Sequence, residues 1–89
     1  MLERELTVSN RLGLHARATA KLVQLLSGFS SAATLSAKGR EVNAKSIMGV
    51  MLLAAGPGTT VLLRLDGSDE AAAADAAAAL FERHFDEGS

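Results

Sequence analysis

From Leu2 to Val8 the apolar residues Leu2, Leu6 and Val8 alternate with Glu3, Glu5 and Thr7, the two-residue period of a half-buried strand. "NRLG" interrupts it, and beyond His15 the period lengthens. Ala18, Leu22, Leu25, Leu26 and Phe29 fall on one helical stripe, with Arg17, Lys21 and Gln24 on the opposite face, and Gly28 suits the helix end. "SSAATLSA" and "REVNA" flank Lys38-Gly39, so two further strands joined as a hairpin are expected. "KSIMGVMLLAAGPG" predicts a short helix with Ser46 as its N-cap and Gly56-Pro57-Gly58 as its stop. That helix is nearly all apolar, and most of it is expected to be core.

In "TTVLLRLDG" Val61, Leu63 and Leu65 alternate with Thr60, Leu62, Arg64 and Asp66, a fourth strand with one face inward. Ser68, Asp69 and Glu70 should open the last helix, Ser68 as N-cap and the acids at the positive end of the dipole. Its alanines propagate helix, Leu80, Phe81 and Phe85 supply the burying stripe, and "DEGS" should fray. The order β-α-β-β-α-β-α predicts an α+β fold in one domain, 1–89: an open-faced β-sandwich, with three helices on one face of a four-stranded antiparallel sheet.

Composition narrows the function. With 48% hydrophobic but only 3% aromatic residues, the core must be aliphatic and alanine-rich. The net charge of -1 comes from 9 basic and 10 acidic residues mixed along the chain. This lacks the basic excess and stacking aromatics of a nucleic-acid binder. Without cysteine there is no disulfide framework, thiolate metal site or thiol nucleophile. Charges in "MLERELTVS" stand where a signal peptide needs apolar residues. The longest apolar run, "IMGVMLLAA", is far short of the ~20 residues of a membrane span. A cytoplasmic protein that does not insert in a membrane is expected.

His15 stands at the threshold of the first helix, two residues ahead of Arg17. A helix N-terminus offers unpaired N–H groups and a partial positive charge, a natural seat for an anion such as a phosphoryl group. Arg17 adds a fork-shaped permanent cation. Imidazole is a nucleophile that needs little activation near neutral pH. Together they could hold a phosphoryl group on nitrogen and release it. By itself the pattern is also compatible with an exposed loop histidine beside a solvated arginine.

"GLHARATAKLVQ" together with "NAKSIMGVMLLAAGPGTTV" closely resembles the histidine-containing phosphocarrier (HPr) family of the bacterial phosphoenolpyruvate-dependent phosphotransferase system, over essentially the whole chain. The resemblance implies a carrier rather than an enzyme, working without a cofactor or metal. It would accept a phosphoryl group on Nδ1 of His15 from phosphorylated enzyme I and pass it to a histidine of IIA proteins or domains, for sugar uptake and its regulation. Arg17 matches the family's arginine partner, and the backbone N–H groups of Ala16 and Arg17 would complete the cradle. Two positions depart from the pattern. Ala18 stands where many members carry proline, which restores a backbone donor. Leu12 stands where many carry Asn or Ser and cannot hydrogen-bond the imidazole, so the motif does not say what orients His15.

The resemblance also makes Ser46 a regulatory phosphorylation position for a dedicated HPr kinase/phosphorylase, whereas from physics alone it is an N-cap. It places Ile47, Met48 and Met51 in a patch that docks partners. Arg17, Lys21 and Lys45 are candidates to ring that patch with positive charge. His84 is expected to pack partly buried near the end of the last helix, and two distant histidines make no metal site. A paralogue of the nitrogen-related branch is the close alternative. An acyl carrier with Ser46 as attachment point would need an acidic, all-helical chain. A purely interacting regulatory module would leave His15 idle.

Overall fold

The alternating segments become four strands, β1 (Leu2–Thr7), β2 (Ala32–Ala37), β3 (Arg40–Asn43) and β4 (Thr60–Asp66), in a computed structural model that describes residues 1–87. Leu6, Ala33, Leu35, Ala37, Val61, Leu63 and Leu65 turn to one face and are buried, while Glu3, Glu5, Glu41 and Asp66 are exposed on the other. The strands pair antiparallel in the order β1-β4-β2-β3. Each crossover therefore straddles a strand. Helix α1 (Ala16–Ser27) joins β1 to β2 with β4 between them, and α2 (Ile47–Leu52) joins β3 to β4 with β2 between them. With α3 (Glu70–Glu82) they cover the apolar face, and a 3-10 turn (His84–Asp86) follows.

Lys38 and Gly39 make the two-residue hairpin turn, both at positive φ (55° and 79°), between the paired residues Ala37 and Arg40. Two left-handed residues in a row match the twist of the flanking strands. Gly28 ends α1, but in a right-handed conformation, with its N–H donating to the Leu25 carbonyl at 3.2 Å and Phe29 N to the Leu26 carbonyl at 3.1 Å.

Four expectations need correction. The buried face of α1 is Ala18, Thr19, Leu22, Val23 and Leu26, with Leu25 and Phe29 only half-buried. Thr19 is tolerated there because its hydroxyl donates to the Leu14 carbonyl at 3.1 Å. Helix α2 ends at Leu52, ahead of the Gly-Pro-Gly segment. Its chain turns left-handed at Ala54 (φ 49°), and the Lys38 ammonium donates to the Ala54 carbonyl at 2.9 Å. Of its apolar residues only Val50 is buried. The N-cap of α3 is Asp69 rather than Ser68, and its carboxylate is spent elsewhere, accepting from Ser30 N (2.8 Å), Ser31 N (3.0 Å) and the Ser31 hydroxyl. Finally, within "DEGS", Asp86 closes the 3-10 turn and Glu87 is half-buried and hydrogen-bonded, while Gly88 and Ser89 lie outside the described residues.

Candidate functional site

The loop between β1 and α1 is shaped by Gly13, which sits at φ 69°. A Cβ there would stand 2.7 Å from the Ala55 carbonyl oxygen, nearer than a carbon can approach, so glycine is required by both conformation and space. The loop then docks on the segment after α2 through Leu14 N donating to the Ala55 carbonyl at 2.9 Å. Asn10, fully buried, accepts from Gly13 N at 3.2 Å through its backbone carbonyl and donates from its side-chain Nδ2 to the Gly13 carbonyl at 2.8 Å. That same carbonyl accepts from His15 N at 2.9 Å.

So held, His15 takes the N-cap position of α1 with extended backbone (φ -77°, ψ -178°). The usual small oxygen-bearing cap is replaced by an imidazole, whose Nδ1 accepts from Arg17 N at 3.2 Å. A backbone N–H can only donate, so Nδ1 presents its lone pair to the helix terminus and Nε2 carries the ring hydrogen. Nε2 lies 2.6 Å from Glu87 Oε2. The His15 side chain is 28% exposed and that of Glu87 only 13%, leaving the nucleophilic edge accessible while the carboxylate is sheltered.

His15, Ala16, Arg17 and Lys21 line one cleft of about 700 Å³ together with Arg11, Leu12, Asp86 and Glu87. The structure thus brings together His15, Ala16 and Arg17, the three residues expected at the phosphoryl group, and adds to them Lys21, which was expected to ring the docking patch. Ala16 is the first residue of α1, where the N–H has no intrahelical acceptor. The Arg17 guanidinium is exposed and makes no hydrogen bond or ion pair among the described residues. Lys21 reaches the Phe85 carbonyl at 2.6 Å. Burial works to raise the Glu87 carboxyl, but hydrogen bonds from Asn10 and His15, together with the charge of Lys21 and that of His15 whenever its ring is protonated, outweigh it and hold the group below the usual carboxylate range. Asp86 is also held low, chiefly by the Arg83 guanidinium at 2.9 Å. Among the described residues no group of three or more His, Asp or Glu is placed to hold a metal ion.

The second cluster sits on α2. Ser46 caps it, its hydroxyl accepting from Gly49 N at 3.1 Å. Ile47, Met48 and Met51 are all exposed, Met48 at 78%, as are Leu52 on the same helix and Leu12 in the lining of the His15 cleft. Lys45 does not project freely beside them, for its ammonium donates to the Phe29 carbonyl at 2.8 Å. His84 is half-buried and bonded through Nδ1 to the Ser9 hydroxyl at 3.1 Å. Sequence reasoning missed Arg11, Asn10 and above all Glu87. An acidic residue near the chain's end gives no local sign of meeting a histidine 72 positions earlier.

Comparisons with known proteins show the family and the fold. A family model described as the PTS HPr component phosphorylation site matches residues 2–83. The "Phosphocarrier protein HPr" of Xylella fastidiosa (strain Temecula1) is 68% identical over 87 residues, 98% of each chain. The "Phosphocarrier protein NPr" of Shewanella violacea is 43% identical over 88 residues, 99% of this chain and 97% of that one. The crystal structure of HPr-C-His from Thermoanaerobacter tengcongensis superposes with a TM-score of 0.94 at 42% identity, covering 98% of both chains. No helix among the described residues is long and apolar enough to cross a membrane. With its family model spanning most of the chain and this likeness in both sequence and fold, the chain belongs to the HPr family of phosphocarriers of the phosphotransferase system.

Proposed function

We propose that this phosphocarrier accepts a phosphoryl group from phosphorylated enzyme I on Nδ1 of His15 and passes it to a histidine of IIA proteins, in the cytoplasm and for sugar uptake and its regulation. One observation carries the reading. Nδ1 is aimed into the N-terminus of α1, hydrogen-bonded to Arg17 N at 3.2 Å, so a phosphoryl group formed on it would stand among the first helical N–H groups and the Arg17 guanidinium. Such a transfer is governed by positioning and charge stabilisation, which this cleft supplies without a cofactor.

The exposed face of α2, with Ile47, Met48 and Met51, is the docking surface for these partners. Ser46 beneath it is a regulatory position for an HPr kinase/phosphorylase. A phosphate there would add negative charge beside the docking face, acting on association more than on folding. The NPr relative keeps a nitrogen-branch role as the second reading, and the higher identity to an HPr favours the sugar branch.

Intact-protein mass after incubation with enzyme I, magnesium and phosphoenolpyruvate tests the proposal. The wild type should gain one acid-labile, alkali-stable phosphoryl group and His15→Ala none. A wild type left unmodified by a competent enzyme I, or a His15→Ala variant that is still labelled, would sink it.

A further inference from the structure

The C-terminal turn does more than finish the fold. His84, Phe85 and Asp86 all lie in the left-handed region, with φ of 54°, 55° and 62°, which non-glycine residues rarely adopt in succession. The turn is pinned on both sides. Phe85 is fully buried with its ring 4.8 Å from that of Phe81, and its carbonyl accepts from Lys21 Nζ at 2.6 Å. This reversal carries the next residue, Glu87, back to the start of α1. There Oε1 accepts from Asn10 Nδ2 at 3.0 Å and Oε2 meets His15 Nε2 at 2.6 Å. Asn10 is itself locked by its bonds with Gly13, so the carboxylate is held by the same residue that shapes the loop carrying His15. Glu87 lies beyond the segment that the family model matches, so its contact is read from this chain's own geometry.

We infer that Glu87 is a positioning residue for phosphoryl transfer, fixing the His15 ring with Nδ1 as the free nucleophile and balancing the charge that the ring acquires when it is phosphorylated. The inference rests on His15 being the acceptor. The chemistry balances without moving a proton on this chain. The Nδ1 lone pair forms the bond to phosphorus, the donor's N–P bond breaks, and its electron pair returns to the donor ring nitrogen. His15 keeps the hydrogen on Nε2, and the ring becomes a phosphoimidazolium. The Glu87 carboxylate already stands against that hydrogen, so the new positive charge appears beside a sheltered anion. When the Nδ1–P bond breaks in the onward transfer, its electrons return to Nδ1 and the starting tautomer is restored. A carboxylate that holds an imidazole in one tautomer and stabilises its imidazolium serves the same purpose in hydrolytic triads.

The test is the steady-state transfer of phosphoryl groups from phosphoenolpyruvate through enzyme I to the full-length chain, comparing wild type, Glu87→Ala and Glu87→Gln, with NMR of the 15N-labelled His15 ring. Glu87→Ala should lower kcat about tenfold, toward the small end of what orienting partners contribute, while KM stays within about twofold. The protected, downfield Nε2 proton of the neutral ring should disappear with it. Glu87→Gln, which keeps an acceptor oxygen but no charge, should recover part of the rate. A Glu87→Ala variant with wild-type kcat, or with the whole loss in KM, would overturn the inference while leaving His15 as the acceptor. A wild type that is not labelled at His15 would instead defeat the function proposed above.

Discussion

Asp69 shows how one side chain can serve a residue far from it in sequence. It occupies the N-cap of α3 without capping it, and its carboxylate gathers Ser30 N, Ser31 N and the Ser31 hydroxyl. Donation from Ser31 and Ser30 outweighs burial and lowers its pKa to about 2, from a model-peptide 3.8. A folded-state value below the unfolded one means that Asp69 stabilises the fold at any pH above the unfolded value, and that this contribution is lost as pH falls from about 4 through about 2. Asp69→Asn should therefore melt below the wild type at pH 7, with the gap closing on acidification and gone under about pH 2. Thermal melts by circular dichroism at a series of pH values would check this, and a gap of constant size down to pH 2 would contradict it. Composition could not have exposed this role, because an Asp before an alanine-rich run reads as an ordinary acid at the positive end of the helix dipole. Only the tertiary approach of Ser31, buried at 1% exposure, redirects it.

At the scale of elements, the strands, α1 and the hairpin were legible because each carries its own period or turn chemistry, as Leu6/Val8, Val61/Leu63/Leu65 and Lys38-Gly39 show. Where the local pattern failed, a neighbour had decided the outcome. The left-handed turn at His84–Asp86 contains no glycine, and left-handed placement costs about 1–2 kcal/mol per residue. Buried Phe85 and the Lys21 bond offset that cost; the apolar stripe announces the burial of Phe85, but no sequence period shows the Lys21 bond or the left-handed turn. His15 and Arg17 were legible from their place before a helical stripe, whereas Glu87 needed the whole fold to bring it there. Helix α2 failed in an informative way. A run as apolar as "IMGVML" reads as core, yet the helix is only 6 residues long and one buried position within it, Val50, suffices to seat it. The remaining apolar side chains are then free for association. Met48, at 78% exposure, should accept Met48→Glu with a stability change of no more than about 0.5 kcal/mol, as for an ordinary surface site. The same change should weaken partner binding by about 1–2 kcal/mol, roughly a 5- to 30-fold rise in KM for transfer from enzyme I. An unchanged KM would remove α2 from the docking surface.

Across the whole molecule, a net charge of -1 conceals a separation of sign. The open face of the sheet carries Glu3, Glu5, Glu41 and Asp66 around a single Arg64, which is paired with Glu3 at 2.9 Å and Glu41 at 3.2 Å. The His15 cleft instead gathers Arg11, Arg17 and Lys21, and its two carboxylates are already engaged, Asp86 by Arg83 and Glu87 by His15. A negatively charged donor surface is thus drawn to the cleft and not to the sheet. Such long-range attraction acts mainly on encounter, and salt screens it as the Debye length shrinks from roughly 10 Å at 0.1 M to 3 Å at 1 M. Raising ionic strength from about 0.05 to 0.5 M should lower kcat/KM for phosphoryl uptake by about tenfold. Arg11 is the residue on which to test this, because it lines the cleft, is exposed, and forms no ion pair among the described residues. Arg11→Ala should reduce kcat/KM at low salt and flatten its salt dependence, with wild type and variant converging at high salt. Replacing Glu5 by Gln on the open sheet should leave the slope as it was. Equal slopes for wild type and Arg11→Ala would mean that the cleft's cations act only after contact, on the phosphoryl group itself.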